Sequence, residues 1–218
     1  MEFFLDTANL SDINKFLPFG IVDGVTTNPS LLAQNSSKPF SDAIEDICRR
    51  VLGPVSVEVT TRDYSQMLQQ GNKILDISPN IVLKLPITWE GIRACNYFSS
   101  NGYKVNMTLC FSVNQALLAA KAGAHYVSPF IGRIDDSGHD GLHFLAQVHK
   151  VFSNYPKIKT KILAASIRNV NHVYMAAKIG IDVVTMGPEV MGNLLNNHLT
   201  EIGLEKFESD WQKSDLKI

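Results

Sequence analysis

A lysine interrupts an apolar segment of the chain, "IVLKLPIT", at residues 81–88. Burying an unpaired ammonium costs free energy, so Lys84 needs either a carboxylate partner or a chemical task. A buried amine gives up its proton more easily than an exposed one, and the neutral amine can attack a ketone carbonyl to form a Schiff base. We interpret Lys84 as a candidate nucleophile. The alternative, a core lysine paired with an acidic residue, is compatible with that role.

Two carboxylates occupy comparable apolar segments. Asp6 ends "EFFLD", and Glu58 lies within "VSVEV". Acidic side chains are rarely buried unless they are paired. Two carboxylates in one pocket with a lysine can divide the work, one carrying a proton and the other holding a water. Either of them could instead be no more than a counter-ion.

Two arginines indicate a possible phosphate site. Arg133 follows "SPFIG", and Arg168 comes shortly after "ILAAS", a segment that ends at Ser166. A guanidinium offers paired donors that match the oxygens of a phosphate. The alternative is that both arginines are ordinary surface residues.

The elements that would position these residues are short segments rich in Val and Ile. Their apolar runs are mostly continuous, which suits strands buried on both faces. The predicted strands are residues 2–6, 21–26, 55–59, 81–86, 104–109, 125–130, 160–166 and 182–187.

Amphipathic segments lie between the predicted strands. We predict helices over residues 89–102, 112–123 and 169–180. The predicted caps are Ser112 and Asn169 at helix starts and Gly102, Gly123 and Gly180 at helix ends. Residues 34–39 are predicted to be a loop. Residues 199–218 form one more predicted helix, with Phe207 and Trp211 on one side.

Eight strands alternating with helices predict an α/β fold, a single closed (β/α)₈ TIM barrel over residues 1–218 with an additional C-terminal helix at 199–218. An open doubly wound sheet is the alternative. It is weakened because no G-x-G-x-x-G follows the first strand, where the chain has "DTANLSD".

In such a barrel the chemistry lies at the carboxyl ends of the strands. Polar residues from seven strands should therefore converge on one mouth. They are Asp6, Thr26, Thr27, Asn28, Glu58, Lys84, Asn106, Thr108, Ser128, Arg133, Ser166 and Arg168.

Composition argues against several other functions. The formal net charge is −1, and no basic face of the kind that binds nucleic acid is evident. No apolar run reaches the ~20 residues of a membrane span. The start, "MEFFLDTANL", lacks the pattern of a secretory signal. Three separated cysteines without a C-x-x-C motif suggest reduced thiols. We expect a cytoplasmic protein with no nucleic-acid or membrane partner.

Seven segments together resemble the transaldolase family. They are "LDT" (5–7), "GVTTNPSLL" (24–32), "EV" (58–59), "VLKLPIT" (82–88), "NMTLCFS" (106–112), "YVSPFIGRIDD" (126–136) and "ILAASIRN" (162–169). The resemblance covers nearly the whole chain. The length is similar to that of the short subfamily, which also contains fructose-6-phosphate aldolases. The resemblance implies a (β/α)₈ barrel that needs no metal and no organic cofactor.

The resemblance implies a role for each catalytic candidate. Lys84 would form the Schiff base with the ketose carbonyl. Asp6 would take a proton from the hydroxyl whose loss drives cleavage of the carbon–carbon bond, and would return it in the reverse step. Glu58 and Thr108 would hold a water that relays protons. We expect Lys84→Met to lose activity, because it lacks the amine. We expect it to remain folded, because the change removes a charge from the core.

The resemblance also implies how sugar-phosphate substrates are held. Asn28 and Asn106 would bind substrate hydroxyls and the dihydroxyacetone unit, with Ser128 nearby. The distal phosphate would be bound by Arg133, Ser166 and Arg168.

Glu58 and Phe130 favour transfer over simple cleavage, because fructose-6-phosphate aldolases tend to have glutamine and tyrosine there. Arg168 is also similar to a transaldolase feature. The implied reaction belongs to the pentose phosphate pathway and converts sedoheptulose 7-phosphate and glyceraldehyde 3-phosphate into erythrose 4-phosphate and fructose 6-phosphate. A fructose-6-phosphate aldolase is the alternative, and a non-catalytic sugar-phosphate-binding barrel is a remote one. The resemblance further implies a homo-oligomer, a pentamer or a decamer, in which the C-terminal helix reaches a neighbouring subunit.

Overall fold

The computed structural model describes residues 1–35 and 38–217, and in these residues eight parallel strands form a closed barrel. The strands follow one another around the barrel in chain order, and the first pairs with the last. The strands are β1 (Glu2–Asp6), β2 (Gly24–Thr26), β3 (Val55–Glu58), β4 (Ile81–Pro86), β5 (Val105–Cys110), β6 (Tyr126–Pro129), β7 (Lys161–Ala164) and β8 (Val183–Met186). The predicted α/β barrel is confirmed.

Eleven α-helices in the described residues surround the barrel or follow it. They are α1 (Leu10–Phe16), α2 (Pro29–Asn35), α3 (Phe40–Arg50), α4 (Tyr64–Leu75), α5 (Trp89–Ser100), α6 (Val113–Lys121), α7 (Ile131–Asp136), α8 (Gly141–Ser153), α9 (Val170–Ile179), α10 (Pro188–Asn193) and α11 (His198–Gln212). Two helices instead of one connect β2 to β3 and β6 to β7, which places additional elements beside the barrel mouth.

Side-chain caps fix where the helices begin. Ser112 accepts a hydrogen bond from the Gln115 amide at the start of α6, and Asn169 accepts one from the His172 amide at the start of α9. Both caps were predicted. Gly180 ends α9 with a φ of 93°, a left-handed conformation that glycine adopts without strain.

Several predicted elements differ in length from the observed ones. β2 begins at Gly24, three residues later than expected. The Phe3 amide donates its hydrogen bond to the Asp23 carboxylate at 2.7 Å, so it is not available to the backbone of an earlier residue of β2. Helix α2 continues through residues 34–35 of the predicted loop, and residues 36–37 lie outside the described residues. The C-terminal helix ends at Gln212, and residue 218 is not among the described residues.

The buried apolar side chains form two clusters. The larger one lies between the strands and the surrounding helices. The smaller one, which we call the inner cluster, consists of Phe4, Val82, Tyr126, Leu163, Ala165 and Val183. The rings of Phe4 and Tyr126 meet edge to face with centroids 5.8 Å apart. The inner cluster fills the interior of the barrel with closely packed side chains, as expected for this fold.

Helix α11 packs poorly on its own chain. None of its fifteen residues, all of which the structure describes, is buried. Leu199 and Phe207 are largely exposed, and Trp211 is partly exposed. No helix in the described part of the chain is long and apolar enough to cross a membrane.

The three cysteines are buried and unpaired, so we expect them to be unreactive in the native protein. Burial raises the pKa of Cys48 and Cys95 to about 11 and that of Cys110 to about 12. Because the thiolate is the nucleophile, a disulfide reagent at pH 8 should modify no thiol before unfolding. In guanidinium chloride it should modify all three. A thiol that reacts at once in the native protein would contradict this burial.

Candidate active site

A layer of polar side chains lies above the inner cluster, on the same inward-facing side of the strands. Successive side chains of a strand point to opposite faces, so the residue two positions farther along also faces the barrel interior. In four strands that residue is polar. The pairs are Phe4 and Asp6, Val82 and Lys84, Tyr126 and Ser128, and Val183 and Thr185.

Lys84 lies in this polar layer and is 5% exposed. Its Nζ is 2.9 Å from Oε2 of Glu58 on the neighbouring strand, and it donates a hydrogen bond to the carbonyl oxygen of Thr27 at 3.0 Å. The expected carboxylate partner is therefore Glu58. These two contacts fix the amine at the cavity described below, so its pairing with Glu58 leaves it in the cavity wall.

Asp6 is held by the hydroxyl of one neighbouring strand, which is itself bonded to a hydroxyl of the other neighbouring strand. Thr26 donates to Oδ1 of Asp6 at 2.7 Å, and the hydroxyls of Thr26 and Thr185 are 2.6 Å apart. Since Thr26 uses its proton on Asp6, Thr185 is the donor of the second bond. This chain of bonds engages one of the two Asp6 carboxylate oxygens, Oδ1. Thr185 was not predicted, although it lies near the end of the last strand.

Asn106 is fixed in a second network of hydrogen bonds. Ser128 donates to its Oδ1 at 2.7 Å, and its Nδ2 donates to the hydroxyl of Ser56 at 3.2 Å. Both ends of the amide thus have a partner, which sets its orientation. Ser56 was not predicted. Asn28 uses its own Oδ1 to accept the Leu31 amide at 2.9 Å, so its NH₂ group is the part available for a ligand.

A cavity of about 170 Å³ lies above these residues. Nine of the eleven predicted site residues line it: Asp6, Asn28, Lys84, Asn106, Ser128, Phe130, Arg133, Ser166 and Arg168. Thr26, Leu163, Ala165 and Thr185 complete the wall. A larger cavity of about 760 Å³ lies at the opposite end of the barrel, beside Lys104, His125 and Thr160. In this fold ligands bind at the carboxyl ends of the strands, so we assign the site to the smaller cavity.

Glu58 and Thr108, the other two predicted residues, lie behind the cavity wall. Glu58 reaches the site through Lys84. The Thr108 hydroxyl is fully buried, and no hydrogen-bond partner for it exists among the described residues. An unpaired buried hydroxyl costs about 1–3 kcal/mol. Thr108 therefore has an unused hydrogen-bonding group that could contact a small polar molecule.

Arg133, Ser166 and Arg168 line one edge of the cavity, which we call the phosphate corner. Ser166 has a φ of 60°, and its carbonyl oxygen accepts the Gly132 amide at 3.0 Å. A Cβ at Gly132 would lie 2.0 Å from that oxygen, so only glycine permits this approach. The Arg168 guanidinium is 2.6 Å from the carboxylate of Asp136. Gly132 and Asp136 were not predicted as site residues.

The Glu58–Lys84 pair changes the stability expected of Lys84→Met. Removing the lysine leaves a carboxylate that is 14% exposed without its cation. We now expect the free energy of unfolding to fall by about 1–3 kcal/mol, less than for a fully buried pair. The double variant Lys84→Met with Glu58→Gln should regain most of this loss in urea unfolding. If Lys84→Met is as stable as the parent, the ion pair contributes nothing to folding.

Comparison with a solved structure supports the fold. The structure of a thiamine phosphate pyrophosphorylase from Pyrococcus furiosus has a TM-score of 0.60, covers 88% of this chain and 87% of its own, and is 16% identical. At this identity the likeness shows the fold alone.

Sequence comparisons are more specific. Residues 3–218 match the family described as transaldolase/fructose-6-phosphate aldolase. A probable transaldolase of Nitrosopumilus maritimus is 51% identical, with both chains fully covered. Probable transaldolases of Parvibaculum lavamentivorans and Paracoccus denitrificans are 49% and 50% identical, again over the full length of both chains. The match over nearly every residue shows that this chain belongs to the transaldolase/fructose-6-phosphate aldolase family of enzymes.

Proposed function

We propose that this enzyme is a transaldolase that carries a dihydroxyacetone unit on Lys84 from a ketose phosphate to an aldehyde phosphate. The observation that carries the proposal is the buried Lys84 amine, placed between Glu58 and a cavity that also contains Asp6. The family supports the reaction type. The donor would be sedoheptulose 7-phosphate and the acceptor glyceraldehyde 3-phosphate, as in the pentose phosphate pathway.

The first step is formation of the Schiff base. Lys84 loses a proton and its Nζ attacks the ketone carbon of the donor. Glu58, 2.9 Å from Nζ, is in position to accept that proton, either directly or through a water bound with Thr108. The addition product then loses its former carbonyl oxygen as water. The nitrogen and carbon remain joined as a protonated imine.

The second step breaks a carbon–carbon bond. Asp6 removes the proton of the hydroxyl next to the scissile bond, and that oxygen becomes the carbonyl of the leaving aldehyde. The electrons of the broken bond flow into the protonated imine and give an enamine on Lys84. Thr26 and Thr185 hold Asp6 in place for this transfer. We assign Asn28, Asn106 and, next to it, Ser128 to the hydroxyls of the bound unit.

The third step returns the unit to an acceptor. The enamine attacks the aldehyde carbon of the second substrate, and Asp6 gives its proton back to the new hydroxyl. Hydrolysis then releases the product from Lys84. We assign the phosphate corner to the distal phosphate of both substrates, because two guanidinium groups can each offer paired donors to it.

Phe130 favours transfer over release of free dihydroxyacetone. Its ring lies beside that of Phe111 with centroids 5.8 Å apart, and the Arg133 guanidinium lies 5.0 Å from its centroid. A phenyl ring offers no hydroxyl that could position a water against the enamine. An apolar group here therefore protects the intermediate from premature protonation.

The dependence on acceptor tests the proposed reaction. With fructose 6-phosphate as donor, we expect consumption to be faster with erythrose 4-phosphate than without it by a factor of at least about ten, or ~1.4 kcal/mol. The matched variant combines Glu58→Gln with Phe130→Tyr. It should lower the ratio of the rate with acceptor to the rate without acceptor. If dihydroxyacetone forms at a comparable rate without acceptor, the enzyme is a fructose-6-phosphate aldolase.

Borohydride reduction distinguishes both enzymes from a barrel that only binds sugar phosphates. It should fix the sugar to the peptide that contains Lys84, and peptide mass mapping detects the adduct. Lys84→Met supplies the control, since it cannot form an imine. Absence of an adduct on the unmodified chain would overturn the covalent mechanism.

We also propose a cytoplasmic homo-oligomer, a pentamer or a decamer, in which α11 contacts a neighbouring subunit. The lack of buried residues in α11 and the exposure of Phe207 and Trp211 support this arrangement. Light scattering should give a mass of several chains. Replacing Phe207 and Trp211 by serine should lower that mass. A particle mass of one chain for the unmodified protein would contradict the proposal.

A further inference from the structure

His172 is a buried polar residue that the mechanism above does not use. It lies in the first turn of α9, directly behind the phosphate corner, and is 7% exposed. Its two ring nitrogens have different partners. Nδ1 accepts the backbone amide of Arg168 at 3.3 Å, and Nε2 is 3.2 Å from Oδ2 of Asp135.

These partners fix the tautomer of the ring. The Arg168 amide is a donor, so Nδ1 must carry no proton, and the proton of the neutral ring lies on Nε2 and is donated to Asp135. Burial lowers the pKa of His172, with a further lowering by the charge of Arg168, while Asp135 acts in the opposite direction. The neutral ring is the form that satisfies both contacts.

Two consecutive carboxylates of α7 thereby hold Arg168, one at its guanidinium and the other, through His172, at its backbone amide. Asp136 contacts the guanidinium directly at 2.6 Å. Asp135 acts on the backbone through His172, and its other oxygen accepts the Gly141 amide at 2.9 Å. The Asp135 carboxylate is thus itself fixed by the start of α8.

The same helix also holds the residues before Arg168. The amides of Ile131 and Gly132 donate to the carbonyl oxygens of Ala165 at 3.1 Å and Ser166 at 3.0 Å. Since Ser166 is in the left-handed region, this segment needs outside contacts to keep its shape. The His172 ring supplies the contact at the Arg168 end.

We propose that His172 is a positioning residue for the phosphate corner: as the Nε2–H tautomer, fixed by Asp135, it holds the backbone of Arg168 and so determines how tightly the phosphorylated end of a substrate binds. This role rests on the proposed function. It predicts a defect that is selective for phosphorylated sugars, because the amine and Asp6 lie on other strands.

Borohydride trapping of Lys84 with two sugars tests the selectivity. Fructose 6-phosphate uses both the amine and the phosphate corner, whereas dihydroxyacetone uses the amine alone. In His172→Leu the concentration of fructose 6-phosphate that gives half-maximal adduct should rise by roughly tenfold, the range expected for loss of a buried hydrogen bond. The corresponding concentration of dihydroxyacetone should change by less than about twofold.

Two further variants separate positioning from packing. Asparagine can place its amide oxygen near the position of Nδ1, so His172→Asn should bind fructose 6-phosphate almost as the parent does. Asp135→Asn cannot accept both the His172 and the Gly141 protons in the same way, and it should show a smaller defect of the same selectivity.

The outcomes distinguish the inference from the proposed function. If the parent enzyme forms no adduct with either sugar, the proposed function fails. If the parent forms adducts but His172→Leu weakens trapping by both sugars equally, or by neither, the positioning role is wrong. An equal loss in His172→Asn and His172→Leu would also overturn it, because the acceptor at Nδ1 would then be irrelevant.

Discussion

The ion pair between Lys84 and Glu58 is the constraint on which the site depends. The two residues face each other directly in the register of β3 and β4. A slip of one residue in either strand would turn one of the charges towards the helices and leave the other without its partner inside the barrel. The closed barrel prevents such a slip, since each strand is paired on both sides. The ion pair thus requires a correctly registered barrel, and the barrel in turn keeps each of these charges beside its partner.

The polar layer around this pair also joins strands that are far apart in the sequence. Asp6, Thr26 and Thr185 connect β1 to β2 and to β8, across the seam where the first and last strands meet. Ser56, Asn106 and Ser128 connect β3, β5 and β6 in the same manner. These hydrogen bonds keep the side chains of the cavity wall oriented before any ligand binds, which reduces the reorganisation that a reaction at this site would require.

Much of the barrel and of its mouth could be predicted because the strands are continuous apolar runs, and a charge such as Lys84 stands out within them. The start of β2 could not be predicted, because the contact of the Asp23 side chain with the Phe3 amide decides it. Ser56 and Thr185 carry hydroxyls that a sequence offers in many places, and only the register shows which ones meet. Asp135 and His172 are harder still, since they come from two different helices, α7 and α9, and only their side chains meet.

The inner cluster has a consequence for the order of events. Phe4 and Tyr126 close the barrel below the polar layer, so the cavity above them and the larger cavity at the amino-terminal end are not joined by an open channel along that path. In the proposed reaction, the donor, the aldehyde split from it and the incoming acceptor would all use the mouth above the polar layer. Because both aldehydes of the proposed reaction would place their phosphate in the same phosphate corner, the first would leave before the second could bind, which is a ping-pong sequence.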